Sequence, residues 1–211
     1  MGRTFHQMKN NREAEHWIKK QLTLSRQKGL KESQSLALAT LGRVYVQQGR
    51  YQEAISVWQE KLPMAVELHN HLVKEKAIDK ALTLCIEITW LYHDISKCFV
   101  ALHSGIGGSK SDQHLAQAMA NANTASAWAE KAVQVVALPE VPLKQLVNGD
   151  PAAAEAYRWL LYTHVLKAQV LEKKADMKDT VEAYQAALKL ATQLEDTLAA
   201  QAIQGALQAL Q

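Results

Sequence analysis

Apolar residues recur along this chain at spacings of three and four, the signature of helices that bury one face. Leu38, Leu41 and Tyr45 form one stripe, and Ala54 with Trp58 begins another. Between them lies QQGRY, in which Gly49 supplies the left-handed residue that ends a helix. The stretch LGRVYVQQGRYQEAISVWQEKLP, from Leu41 to Pro63, is therefore expected to be two antiparallel helices joined by a tight turn. Gly42 sits inside the first helix, where glycine costs roughly 0.5–1 kcal/mol relative to alanine. Its placement calls for a structural reason.

The order of markers, L-G-x-x-Y, then G-x-Y, then A-x-x-x-W, resembles the tetratricopeptide repeat, in which each marker fills a contact between two paired helices. The resemblance implies that Gly42 and Ala54 are small because the helices approach closely there. One pair cannot bury its apolar face and needs stacked neighbours. In WLYHDISKCFVAL, from Trp90 to Leu102, Ile95, Ser96 and Phe99 stand in the places of Leu41, Gly42 and Tyr45. TASAWAEKAV follows as the second helix, with Ala125 and Ala132 as small residues and Trp128 as the bulky plug. In VLKAQVLEKKADMKDTVEAYQAAL, the residues Ala168, Leu171, Tyr184 and Ala187 take the corresponding roles. The expected fold is all-α, a right-handed superhelical array of antiparallel helix pairs with inserted loops.

Ala54, Ala125 and Thr180 share one equivalent position but lie 71 and 55 residues apart, whereas an uninterrupted array repeats every 34 residues or so, roughly. Insertions are required. The expected layout is a single domain over 1–211, beginning with a partial repeat helix at about 12–30 and a repeat at 35–66. A helical insertion at 67–85 follows, then a repeat at 88–136 interrupted by a loop insertion at 103–120 that starts HSGIGGSK. A linker at 137–151 leads to a repeat at 152–192 and a terminal helix at 195–211. Asp150 before Pro151 is a helix cap and first-turn pair.

Composition supports this layout. The chain is 48% apolar and 21% charged with four prolines and nine glycines, which favours helix and leaves no sheet expected. Cys85 and Cys98 have no C-x-x-C spacing, as expected on the reducing, cytoplasmic side. The N-terminus has no signal-peptide core, His6 replaces the Ser or Thr of a myristoylation motif, and Glu87 breaks the longest apolar run, so no membrane contact is expected. Residues 1–61 hold eleven Lys/Arg and five Asp/Glu, against 13 and 16 beyond. No five-residue basic cluster occurs, and nucleic acid is not among the expected partners.

Two blocks are sharper than the repeat pattern. LGRVYVQQGRYQEAISVWQEKLPMA and WLYHDISKCFVAL are similar, in the same order, to the IGRVY-to-WEEKIP and WLFHEIGRC blocks of the tetratricopeptide subunit of the axonemal outer dynein arm docking complex. Ser96 replaces that family's glycine, and the insertions after Ala65 and His103 are long. The resemblance implies a noncatalytic scaffold of the cilium or flagellum axoneme that helps seat outer dynein arms on doublet microtubules. It implies protein partners: coiled-coil docking subunits, dynein heavy or intermediate chains, or tubulin. The family's chains usually extend further than this one, so the resemblance implies the repeat region of a longer protein or a shortened relative. The competing expectation is a co-chaperone or general peptide-binding adaptor. The co-chaperone clamp resembles a Lys followed four residues later by an Asn, where this chain has Ala39 and Arg43.

In such arrays the first helix of each pair lines the concave face. The candidate groove is Arg43 and Gln47, then Trp90, His93 and Lys97, then Tyr162, Gln169 and Lys173, with Ala39 and Val165 beside them. Arg43, Lys97 and Lys173 would give it a positive stripe suited to an acidic helix or strand, with Trp90 and Tyr162 as apolar anchors. Trp58 and Trp128 are expected in the core, while Trp17, Trp90 and Trp159 are assigned neither to core nor to a ligand box. His69 and His71 point about 200° apart on a helix and cannot share an ion. His93 and Asp94 diverge similarly, and GIGGSK lacks phosphate-loop spacing. No catalytic site, metal or cofactor is expected.

Overall fold

The computed structural model describes residues 11–105, 109–138 and 140–210, and every regular element among them is a helix. In chain order these are α1 (Asn11–Gln27), α2 (Lys31–Gln47), α3 (Tyr51–Lys74), α4 (Ile78–Gly105) and α5 (Ser109–Val136), followed by α6 (Leu143–Gly149), α7 (Pro151–Lys173), α8 (Met177–Gln193) and α9 (Thr197–Ala209). The chain divides into two compact units, Met1–His71 and Leu72–Gln211, where the sequence alone leads to one domain.

In the first unit, α1 buries Ala14, Ile18 and Leu22, and α2 buries Ala37, Leu38, Leu41, Val44 and Tyr45. The α3 helix faces them with Ala54, Ile55, Trp58, Leu62 and Ala65. Trp58 lies over Gly42 and its Nε1 donates to the Ala39 carbonyl at 3.3 Å, so glycine makes room for the plug. Lys61 is buried beside them, and its Nζ donates to Ser35 Oγ. A polar network closes the other end of the pair. Glu15 Oε1 accepts from Lys19 Nζ at 2.6 Å, and Glu15 Oε2 accepts from Arg50 Nη1 at 2.7 Å and Gln48 Nε2 at 3.2 Å. Arg50 also stacks on Tyr45, 4.4 Å from the ring centre. Pro63 lies inside α3, which continues to Lys74 although Pro63 offers no N–H to the preceding turn.

In the second unit, α4 and α5 run antiparallel along their length. Ala118, Ala122, Ala125, Ala129 and Ala132 are all buried, a stripe of methyl groups that lets the two backbones approach. Ser96 donates to the Ala118 carbonyl at 2.7 Å. The larger serine at the Gly42-equivalent position is thus met by alanine. Trp128 is half-buried and packs against the core around Cys85 and Ala132, with Lys131 Nζ 4.2 Å from its ring centre and its carbonyl accepting from Cys85 Sγ at 3.2 Å. One core joins Leu82, Cys85 and Ile86 to Ala132, Val136, Leu146, Ala153 and Ala156. A second joins Leu161 and Ala168 to Tyr184, Ala187, Leu190, Ala191 and Ile203.

Two expected irregular stretches are more helical than the sequence reading. The loop insertion at 103–120 is corrected, since α4 runs to Gly105 and α5 starts at Ser109; positions 106–108 lie outside the described residues. Leu115, Ala118 and Ala122 bury one face there, and this holds the segment in helix. The linker at 137–151 contains α6. Asp150 caps α7, accepting from Ala152 N at 2.8 Å, with Pro151 in its first turn.

One turn geometry recurs. The second residue after a helix takes positive φ at Gly29 (66°), Gly49 (72°), Lys76 (58°), Ala175 (56°) and Glu195 (56°). Each turn carries the same pair of backbone bonds, for example Arg50 N to Tyr45 O at 2.9 Å and Gly49 N to Val46 O at 3.0 Å. This is the six-to-one and five-to-two pattern that satisfies the last helical carbonyls. Asp176 and Asp196 then cap the next helices, accepting from Asp179 N and Ala199 N. These hairpins set how α7, α8 and α9 line up, and so build the cleft described next.

Candidate partner-binding cleft

A cleft of about 460 Å³ opens in the second unit between α4, α7 and α9. The α4 helix supplies Trp90, His93, Asp94 and Lys97, and α7 supplies Trp159, Tyr162, Val165 and Gln169 along with Leu161 and Leu166. The α9 helix closes it with Ala199, Ala202 and Ile203. Spacing explains the selection: residues three and four apart share a helix face, so His93 and Lys97, or Tyr162, Val165 and Gln169, open to one side. The opposite faces of the same helices carry core residues such as Ile95, Ala168 and Leu171.

The aromatic groups form a connected cluster. The His93 ring meets Trp159 edge to face at 5.4 Å, and Trp159 meets Tyr162 at 5.6 Å and 87°. Tyr162 is 41% exposed, a large ring left open to solvent. His93 and Asp94, expected to diverge on their helix, instead meet, with His93 Nδ1 3.1 Å from Asp94 Oδ1. Behind this wall, burial pushes the Cys98 thiol up to about 12, with the Asp94 charge acting in the same direction. It is therefore a packing residue and no nucleophile at neutral pH.

Five of the expected groove residues, Trp90, His93, Lys97, Tyr162 and Gln169, come together in this cleft. Arg43 and Gln47 are exposed on α2 in the first unit, and Lys173 is exposed at the end of α7 and is not among the cleft's lining residues. Of the expected positive stripe the cleft holds Lys97 alone, with Asp94 beside it. Sequence reasoning missed Asp94 as a lining residue, left Trp159 unassigned and placed the terminal helix, α9, outside the groove. The signal for α9 was its small apolar stripe, Ala199, Ala202, Ile203 and Ala206, one helical face of TLAAQAIQGA.

Of the expected markers, Leu41, Gly42, Tyr45, Ala54, Trp58, Ile95, Ser96, Phe99, Ala125, Ala132, Ala168, Leu171, Tyr184 and Ala187 are buried, and Gly49 is exposed in its turn. Tyr184 Oη donates to Glu172 at 3.2 Å, and burial together with that carboxylate pushes the phenol up to about 12. Among the described residues no group of three or more His, Cys, Asp or Glu could hold a metal ion. No helix among them is long and apolar enough to cross a membrane.

Paired helices closed by recurring left-handed turns define a helical-repeat architecture, and in the α2–α3 pair a small residue, Gly42, lies under a bulky plug, Trp58. The tetratricopeptide repeat family model matches residues 37–68, which span most of the α2–α3 pair. Beyond the repeat itself, the chain is similar to outer dynein arm-docking complex subunit 4. It is 28% identical to the zebrafish (Danio rerio) protein over 207 residues, covering 98% of this chain and 32% of the relative. Against the Xenopus laevis protein it is 29% identical over 190 residues, covering 90% of this chain and 27% of the relative. Against the human protein it is 28% identical over 189 residues, covering 90% and 21%. The chain thus spans about a third or less of the length of these relatives.

Proposed function

We propose that this chain is a noncatalytic docking scaffold, and that the cleft between α4, α7 and α9 receives a segment of a partner protein. The pairs α2–α3, α4–α5 and α7–α8 are its repeats, and α1 and α9 are flanking helices. The partner is assigned to the apparatus that attaches outer dynein arms to ciliary doublet microtubules: a coiled-coil docking subunit, a dynein heavy or intermediate chain, or tubulin. The chain then acts in the axoneme of a cilium or flagellum.

The observation that carries this reading is the likeness to docking-complex subunits across 98% of the chain. A mostly apolar cleft with one exposed aromatic anchor, Tyr162, beside half-buried Trp90 and Trp159 adds support, since such residues concentrate binding energy when a partner desolvates them. The test is affinity capture from ciliary axoneme extract with the chain and with Tyr162→Ala. Recovery of docking or dynein subunits, reduced by the substitution, is expected. Recovery of soluble chaperones alone would overturn the proposal.

A further inference from the structure

The charge distribution in the cleft points to a partner chemistry different from the acidic segment that a basic stripe would attract. Among its described lining residues Lys97 is the single cation and Asp94 the single carboxylate. Asp94 is 3.1 Å from His93 Nδ1, and among the described residues no lysine or arginine lies within ion-pair distance of it. Four aromatic groups, Trp90, His93, Trp159 and Tyr162, line the same space.

Indole and phenol faces carry a negative quadrupole that attracts a cation, most strongly where water is excluded. The near-perpendicular arrangement matters here. Trp159 stands at 78° to His93 and 87° to Tyr162, so the rings make walls in different directions. A flat apolar ligand stacks on one wall, whereas a compact cation meets several at once.

We propose that the cleft anchors its partner through one cationic side chain, an arginine or lysine, held against these rings and paired with Asp94. This rests on the reading of the cleft as a docking site. Lys97, exposed one turn along α4, repels a second cation, so the preferred segment carries an isolated basic residue and not a basic run.

The test titrates three blocked pentapeptides, Ac-Ala-Ala-X-Ala-Ala-amide with X as arginine, glutamate or norleucine, into the isotope-labelled 211-residue chain. The readout is the indole N–H signals of Trp90 and Trp159, assigned with Trp90→Phe and Trp159→Phe. The arginine peptide is expected to shift them saturably in the millimolar range. Asp94→Asn should weaken it roughly fivefold or more, and Lys97→Gln should strengthen it by roughly twofold or more. Unchanged signals elsewhere show that each variant is folded, and exposed Lys97 gives a variant that does not threaten the core.

Tighter binding of the glutamate peptide, weakened by Lys97→Gln, would overturn the proposal in favour of an acidic partner. Equal binding of arginine and norleucine, or no saturable shift with arginine, would overturn it too. Each of these outcomes leaves the docking role standing if axonemal capture succeeds. Failed capture with intact arginine selectivity removes the docking assignment and keeps the cleft's chemistry.

Discussion

The indole of Trp58 occupies the volume in which a side chain at Gly42 would begin: a Cβ there would lie 2.1 Å from Nε1 and 2.3 Å from Cε2. No van der Waals contact exists at that distance, and the indole is locked by its bond to the Ala39 carbonyl at 3.3 Å. Gly42→Ala is therefore expected to lower stability by about 1–3 kcal/mol or more, measured as a urea midpoint. Trp58→Leu in the same chain should recover part of that loss, because the clashing group is gone. Additive losses would contradict this packing.

The left-handed turns make an opposite pair of expectations. Ala175 (φ 56°) bears a side chain in a conformation that favours glycine. Ala175→Gly should raise stability by about 0.5–1 kcal/mol, the relief of left-handed strain less the added freedom of the unfolded chain. Gly49→Ala should lower it by about 1 kcal/mol, with nothing within 4 Å to clash and the φ of 72° as the sole cause. Denaturant midpoints of both variants check the signs.

Much of this was legible because glycine and tryptophan are unambiguous markers: Gly42, Gly49 and Trp58 sit where their spacing places them. The turns at Lys76, Ala175 and Glu195 were not, since a left-handed residue with a side chain leaves no compositional trace. Residues 109–120 were misread because the Gly/Ser start of HSGIGGSK overshadowed the Leu115, Ala118 and Ala122 stripe behind it. Trp128 packs against the core only half-buried, whereas Trp58 is fully buried, a difference that their shared spacing does not reveal. The cleft was half legible. Helical spacing grouped five of its residues, but only the packing of α9 against α7 and α8 could bring in Ala199, Ala202 and Ile203.

Both cysteines should be silent in the folded chain. Burial pushes the Cys85 thiol up to about 11 and Cys98 to about 12, so at neutral pH almost no thiolate exists to react. Neither thiol should react with a disulfide reagent within the time that fully labels the denatured chain. Rapid labelling of the native protein would contradict the burial of α4.

Acid should loosen the first unit. Burial works against the Glu15 carboxylate, but hydrogen bonds from Lys19 and Gln48 and the charges of Lys19 and Arg50 outweigh it and hold the carboxyl below its ordinary 4.5. A carboxyl depressed on folding contributes stability that is complete above its unfolded value and lost as pH falls through the folded one. The stability gap between the wild-type chain and Glu15→Gln should therefore narrow steadily below about pH 4.5. A pH-independent gap in urea midpoints would show that the network does not act through charge.

The central claim, that the cleft of α4, α7 and α9 receives an axonemal partner, is tested most directly by site-specific photocrosslinking. A photoreactive residue replaces Gln169, exposed in the cleft, and a control replaces exposed Lys189 on α8, outside its lining. Each chain is incubated with axoneme extract, irradiated and analysed by mass spectrometry. Crosslinks from 169 to a docking-complex or dynein subunit, absent from 189, are the expected result. Crosslinks to such proteins from 189 but not from 169, or to chaperones alone, would contradict the account.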